Sequence, residues 1–251
     1  MATVGIFDSG VGGLSVLKEL RKLLPDEHYL YFSDNAFCPY GGKPAGEIIE
    51  RARVITDFLI SKGASIIVVA CNTATAAAIS YLRDNYPIPF IGMEPAVKPA
   101  ALGTNTGVIG VLATAGTLSA SKYLNTKGKY EDDVRIEEHV GEGFVELVEN
   151  GDLDSDNTRK VVERSLRPLL DCGADKIVLG CTHYPFLMNV IKEIAGEGVE
   201  VIDPAPSIAR RLSEVMSELP SCKENTKGEG SVELFSSGSP KNLERTFELI
   251  R

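Results

Sequence analysis

The stretch that most constrains this chain is Ser65-Ile66-Ile67-Val68-Val69-Ala70-Cys71-Asn72-Thr73-Ala74-Thr75. Four consecutive β-branched residues, Ile66 to Val69, predict a strand covered on both faces, as in a parallel sheet. Asn72 and Thr73 are favoured N-cap types, and the alanine-rich segment to about Tyr86 predicts a helix. A thiol is thereby set at the carboxyl end of a strand and the mouth of a helix. Open α/β sheets bind ligands at that edge, and helix N-terminal amides favour a thiolate. The pattern recurs in Lys176-Ile177-Val178-Leu179-Gly180-Cys181-Thr182-His183-Tyr184-Pro185. A single such cysteine reads as a small core hydrophobe. Two in matching positions of two half-chains read as thiols with one shared task.

The rest of the chain supports a duplication. Thr3 to Phe7 reads as a strand running into Asp8-Ser9-Gly10-Val11-Gly12-Gly13 and then a helix over Leu14–Leu24. Tyr29 to Phe32 reads as the second strand, Asp34 to Lys43 as a loop, Glu47 to Lys62 as an amphipathic helix, and Phe90 to Met93 as a further strand. Glu94 to Pro99 reads as a crossing between domains. The pattern then restarts, with a strand over Thr106–Leu112 ending in Ala113-Thr114-Ala115-Gly116-Thr117. Cys181 follows Thr114 at much the same offset as Cys71 follows Asp8. Arg135–Val140 and Val199–Ile202 read as strands. Gly143–Asn150, Asn157–Cys172 and Ser207–Leu219 read as helices. Ser221–Gly230 reads as a polar loop, and Val232–Phe235 with a helix over Pro240–Ile250 returns to the first domain. The expectation is an α/β fold of two similar parallel-sheet domains, residues 1–95 with 208–251 and residues 96–207. Their strand-end loops meet at a cleft that holds the active site.

The 251 residues carry a net charge of -9, without a basic stripe, which disfavours nucleic acid as a partner. An anionic ligand would have to be caught by local amides and helix ends rather than by the global field. No apolar run approaches a membrane span and no signal peptide is evident, so a cytoplasmic protein without a membrane partner is expected. Five scattered cysteines (Cys38, Cys71, Cys172, Cys181, Cys222) argue for reduced thiols. Cys181 and His183 lack further ligands at zinc spacing, so no metal site is expected. A dinucleotide fold is the rival reading of the glycine loop, with Asp34 near the ribose position. Ser15 stands where the third glycine should be, however, and Asp8 occupies the loop meant for pyrophosphate.

The segments Phe7-Asp8-Ser9-Gly10-Val11-Gly12-Gly13-Leu14, Val69-Ala70-Cys71-Asn72-Thr73-Ala74 and Gly180-Cys181-Thr182-His183-Tyr184-Pro185 resemble those of the glutamate racemase family, over nearly the whole chain to about Leu212. The resemblance implies inversion of the glutamate α-carbon without pyridoxal phosphate, metal or nucleotide, hence no cofactor. It also implies supply of D-glutamate for peptidoglycan, and a homodimer. It places the two bases at Cys71 and Cys181, with Asp8 assisting the first and His183 the second, and it points to Glu149 rather than Glu146 as the carboxylate near the second thiol. It assigns substrate contacts to Asp8, Ser9, Tyr40, Gly41, Asn72, Thr73, Thr117, Thr182 and His183. Near position 38 the family usually has an arginine or another larger residue, so Cys38 departs from the pattern. A related racemase acting on aspartate remains open, although those typically lack the Thr-His-Tyr-Pro continuation. So does a binding module of two α/β lobes that closes on an amino acid without reaction.

Overall fold

The computed structural model describes residues 2–219 and 229–250. Cys222, and all but the last two residues of the expected 221–230 loop, lie outside them. The chain forms two compact units, one up to Met93 and again from Ala205 onward, the other Glu94–Pro204.

The first unit opens with β1 (Thr3–Asp8), α1 (Leu14–Leu23), β2 (His28–Ser33), α2 (Ala45–Ser61), β3 (Ile66–Val69), α3 (Asn72–Asn85) and β4 (Phe90–Gly92). The second holds α4 (Val97–Gly103), β5 (Val108–Ala113), α5 (Ala115–Leu118), α6 (Ser121–Lys127), β6 (Arg135–Val140), α7 (Phe144–Asn150), α8 (Asp156–Asp171), β7 (Lys176–Gly180), α9 (Met188–Ala195) and β8 (Glu200–Ile202). The chain then returns to the first unit through α10 (Ala205–Glu218), β9 (Ser231–Ser236) and α11 (Lys241–Glu248).

Among the described residues every strand pair is parallel, and parallel strands require crossovers that cover the sheet. The first sheet runs β4-β3-β1-β2-β9 and the second β6-β5-β7-β8. Read from β4 and from β8, the two share one order, with β9 added at the edge of the first. Ile66 to Val69 are fully buried, as their composition predicts. In the first unit Phe7, Ile67 and Val69 pack with Ile55 and Leu59 of α2 and Ala74 and Ala78 of α3. Helix α10 packs on α1.

The duplication extends to single residues. Gly5, third in β1, pairs with Ile67, and Gly110, third in β5, pairs with Ile177. A Cβ at Gly5 would lie 3.0 Å from Ile67 and 3.2 Å from Leu59; one at Gly110 would lie 2.6 Å from Ile177 and 3.1 Å from Leu169. In both units a glycine lets an inserted helix side chain reach the strand backbone. Helices α2 and α8 end alike, at Gly63 (φ 95°) and Gly173 (φ 86°) in the left-handed region.

Four short helices lie where the sequence reading named no helix. Helix α4 lies where a crossing was expected: Pro99 falls in its first turn, where a missing N–H costs little. Helix α5 starts at Thr114, whose hydroxyl accepts the Thr117 N–H (3.2 Å). Helices α6 and α9, of seven and eight residues, are too short for a clear helical period.

Asp175, just before β7, ties the second unit together at the opposite edge from the strand ends. Its carboxylate accepts Thr104 Oγ1 (2.5 Å) and the amides of Asn105 (2.6 Å) and Thr106 (3.3 Å). Burial opposes its charge, but these hydrogen bonds outweigh burial and hold the carboxyl below its ordinary range. The folded pKa lies under the unfolded one, near ~3.9. The stabilisation is therefore present above that value and lost as pH falls through the folded pKa. Asp175→Asn is expected to cost about 1–3 kcal/mol at neutral pH. Urea unfolding should show the gap from the parent narrowing at about pH 3. A gap of equal size at both pH values would contradict the ionic account.

Candidate active site

In each sheet the order of the strands reverses at one place, between β1 and β3 and between β5 and β7. Side chains beyond the carboxyl ends of those strands stand where α/β sheets bind ligands. Asp8 ends β1 and is fully buried; its Oδ1 accepts the Gly10 N–H (2.9 Å). Tyr31, from β2, donates its hydroxyl to the Gly10 carbonyl (2.8 Å) and braces the same loop.

Cys71 stands two residues past β3 and is 5% exposed. It is itself the N-cap of α3, the place the sequence offered to Asn72 or Thr73. Its backbone is extended (φ -68°, ψ 124°), and its Sγ accepts the Ala74 N–H at 3.4 Å. The sulfur thus takes up an amide that a hydroxyl or carboxamide cap would satisfy, which favours its anionic form. The thiol also approaches Ser9 Oγ at 3.9 Å. Asn72 and Thr73 form the buried first turn of α3. Neither polar atom of the Asn72 carboxamide has a hydrogen-bond partner among the described residues. Buried polar groups are rarely left so.

In the second unit Cys181 follows β7 directly and is 8% exposed. No α-helix begins at it; a short 3-10 turn, Tyr184–Leu187, comes first. Its support is instead an imidazole. His183 Nδ1 lies 3.8 Å from Cys181 Sγ, and His183 Nε2 is 2.7 Å from Glu149 Oε1. Of the two carboxylates that α7 offered, Glu149 meets the histidine. Tyr184 holds this edge in shape, its ring stacked edge-on against Phe144 (4.9 Å) and its hydroxyl donating to Gly141 O (3.3 Å). Burial drives the Tyr184 phenol well above its ordinary pKa. Thr117 and Thr182 are buried near strand ends β5 and β7. The Thr114 and Thr117 hydroxyls are 3.0 Å apart.

Tyr40 is 1% exposed, and its hydroxyl donates to Asp34 Oδ2 (2.5 Å). What the Tyr40-Gly41 segment offers a ligand is therefore backbone. Arg51 of α2, which the sequence reading passed over, forms a bidentate pair with Asp34 (2.7 and 2.9 Å). Only an acid followed by an arginine on the next helix could have hinted at it. These bonds also weigh against the nucleotide reading. Asp34, proposed for a ribose, is engaged by Arg51 and Tyr40, and Asp8 occupies the Gly10 amide.

The Asp/Glu/Hydantoin racemase family model matches residues 10–212. A glutamate racemase of Herpetosiphon aurantiacus is 45% identical over 240 residues, 96% of this chain and 94% of its own. Among solved structures, Escherichia coli glutamate racemase, in complex with L-glutamate and the activator UDP-MurNAc-Ala, superposes with TM-score 0.89 at 35% identity. That match covers 99% of this chain and 95% of the other. The Francisella tularensis glutamate racemase in complex with D-glutamate gives 0.85 at 28%, over 99% and 93%. Among the described residues no helix is long and apolar enough to cross a membrane. With two sheets of one order and a cysteine beyond the reversal of each, this chain belongs to the Asp/Glu/Hydantoin racemase family.

Proposed function

We propose that this protein interconverts L- and D-glutamate by a two-base mechanism, and that its D-glutamate supplies peptidoglycan synthesis. The observation that carries the mechanism is the pair of buried cysteines, each at the carboxyl end of the strand beside its sheet's order reversal. The substrate follows from the family and from the glutamate racemases it resembles.

Inversion needs one group to remove the α-proton from one face and another to deliver a proton to the opposite face. Cys71 takes one side and Cys181 the other, exchanging roles with the direction of reaction. A thiol is suited to both, since sulfur gives up and takes back a proton far closer to neutral pH than a hydroxyl does. Asp8 assists Cys71, and His183, oriented by Glu149, assists Cys181. The developing negative charge on the substrate carboxylate calls for fixed donors in a dry site. The buried Asn72 carboxamide and the hydroxyls of Ser9, Thr73, Thr117 and Thr182 supply them, with the Gly41 backbone. Together with Asp8 they hold the ammonium and the two carboxylates.

The test is circular dichroism of pure L-glutamate with purified protein and nothing else added. The signal is expected to decay to zero, while L-aspartate keeps its signal. Loss of the aspartate signal alone would reassign the substrate. Glutamate binding without exchange of its α-proton for solvent deuterium would leave a binding module instead.

A further inference from the structure

We propose that Asp34 and Arg51 are positioning residues of the glutamate site, acting through Tyr40 to fix the turn that presents Gly41; this rests on the reading just given. The turn is closed by the Lys43 N–H donating to Tyr40 O (3.0 Å), so Gly41 and Gly42 occupy its centre. Two glycines there have little conformational restraint of their own, and the Gly41 N–H meets no backbone carbonyl among the described residues. The restraint comes from outside the turn. The Tyr40 phenol is buried against Asp34, and Asp34 is fully buried and gripped by the Arg51 fork. The Arg51 guanidinium lies over the Phe37 ring, 4.0 Å from its centre, which fixes the loop on its other side. The Asp34 N–H donates to Asp8 O (2.9 Å), so the clamp is joined to the strand end that carries the Asp8 carboxylate.

The clamp is electrically closed. Arg51 and Asp34 neutralise one another, and burial with the Asp34 hydrogen bond drives the Tyr40 phenol far above its usual range. The network therefore adds no free cation for the substrate. Its contribution is geometry, and geometry at a binding amide appears in KM more than in kcat.

The experiment compares Arg51→Lys, Asp34→Asn and Tyr40→Phe in the full chain. Lysine keeps the charge but not the fork. Arg51→Lys is expected to raise KM for glutamate about tenfold while kcat falls less than about threefold. The pH profile should keep the parent's shape, and the other two variants should move KM in the same direction. Amide hydrogen exchange of Lys43, whose N–H closes the turn, measured without substrate, should speed up at least about tenfold in all three. Unchanged KM with unchanged exchange overturns the proposal, as does a fall in kcat at constant KM. If the parent fails to racemise glutamate, the functional reading falls, and the exchange result alone then judges the clamp. Should Arg51→Lys fold poorly, Tyr40→Phe, which removes one hydroxyl, decides the question by the same measurements.

Discussion

Cys71→Ser and Cys181→Ser, each alone, are expected to lower racemisation about a hundred- to ten-thousand-fold, the range that loss of a positioned acid–base group produces. A serine hydroxyl fits the space but does not ionise near neutral pH, so the variant keeps the site's shape and loses one proton carrier. The two should fail differently. Run in deuterated water from each enantiomer in turn, any surviving α-exchange should be confined to one enantiomer, and to the opposite one in the two variants. The supports of the sulfurs add a second distinction. Cys71 leans on the Ala74 amide of α3, whose protonation does not change with pH, whereas Cys181 leans on His183. Cys172, half-buried beside Arg135 (3.7 Å) in the second unit, serves as the control and its removal should leave the rate intact. If both serine variants racemise like the parent, the two-thiol mechanism is wrong.

The second large effect is expected at Gly13, a residue that touches no substrate in the proposed mechanism. Its backbone is right-handed (φ -61°), so any residue could adopt it. The obstacle is space: a Cβ there would lie 2.7 Å from Asp8 Cβ, 2.9 Å from the Tyr31 hydroxyl and 3.2 Å from Ala70 Cβ. None of these is the loose end of a flexible chain. Asp8 is held by the Gly10 amide and Tyr31 by the Gly10 carbonyl, so both would shift together. Gly13→Ala should destabilise the fold by about 1–3 kcal/mol, the usual cost of overpacking. It should also lower kcat at least about tenfold through the displaced Asp8 carboxylate. Thermal unfolding and steady-state rates on one preparation check both. Parent-like melting with parent-like kcat would show that the loop yields freely and that Asp8 is not held by packing.

Much of the architecture is written locally. Ile66 to Val69 can only be a strand with both faces covered, and the spacing of Ile48, Ala52, Ile55 and Leu59 can only bury one face of a helix. These features depend on residues a few positions apart, so periodicity reads them. The similar offsets from Asp8 to Cys71 and from Thr114 to Cys181 show the duplication. The environment of each sulfur was decided by the tertiary structure. That Cys71 caps its own helix depends on its backbone angles, which its neighbours in sequence leave open between it and Asn72. Glu149 was favoured over Glu146 only through the resemblance, and it reaches His183 across 34 positions because α7 lies beside the loop after β7. Arg51 finds Asp34 because α2 passes over the loop that follows β2, and β9 joins β2 from the far end of the chain. Hydrogen bonds and ion pairs select partners by distance and angle in space, and a sequence carries those quantities only where the chain stays local.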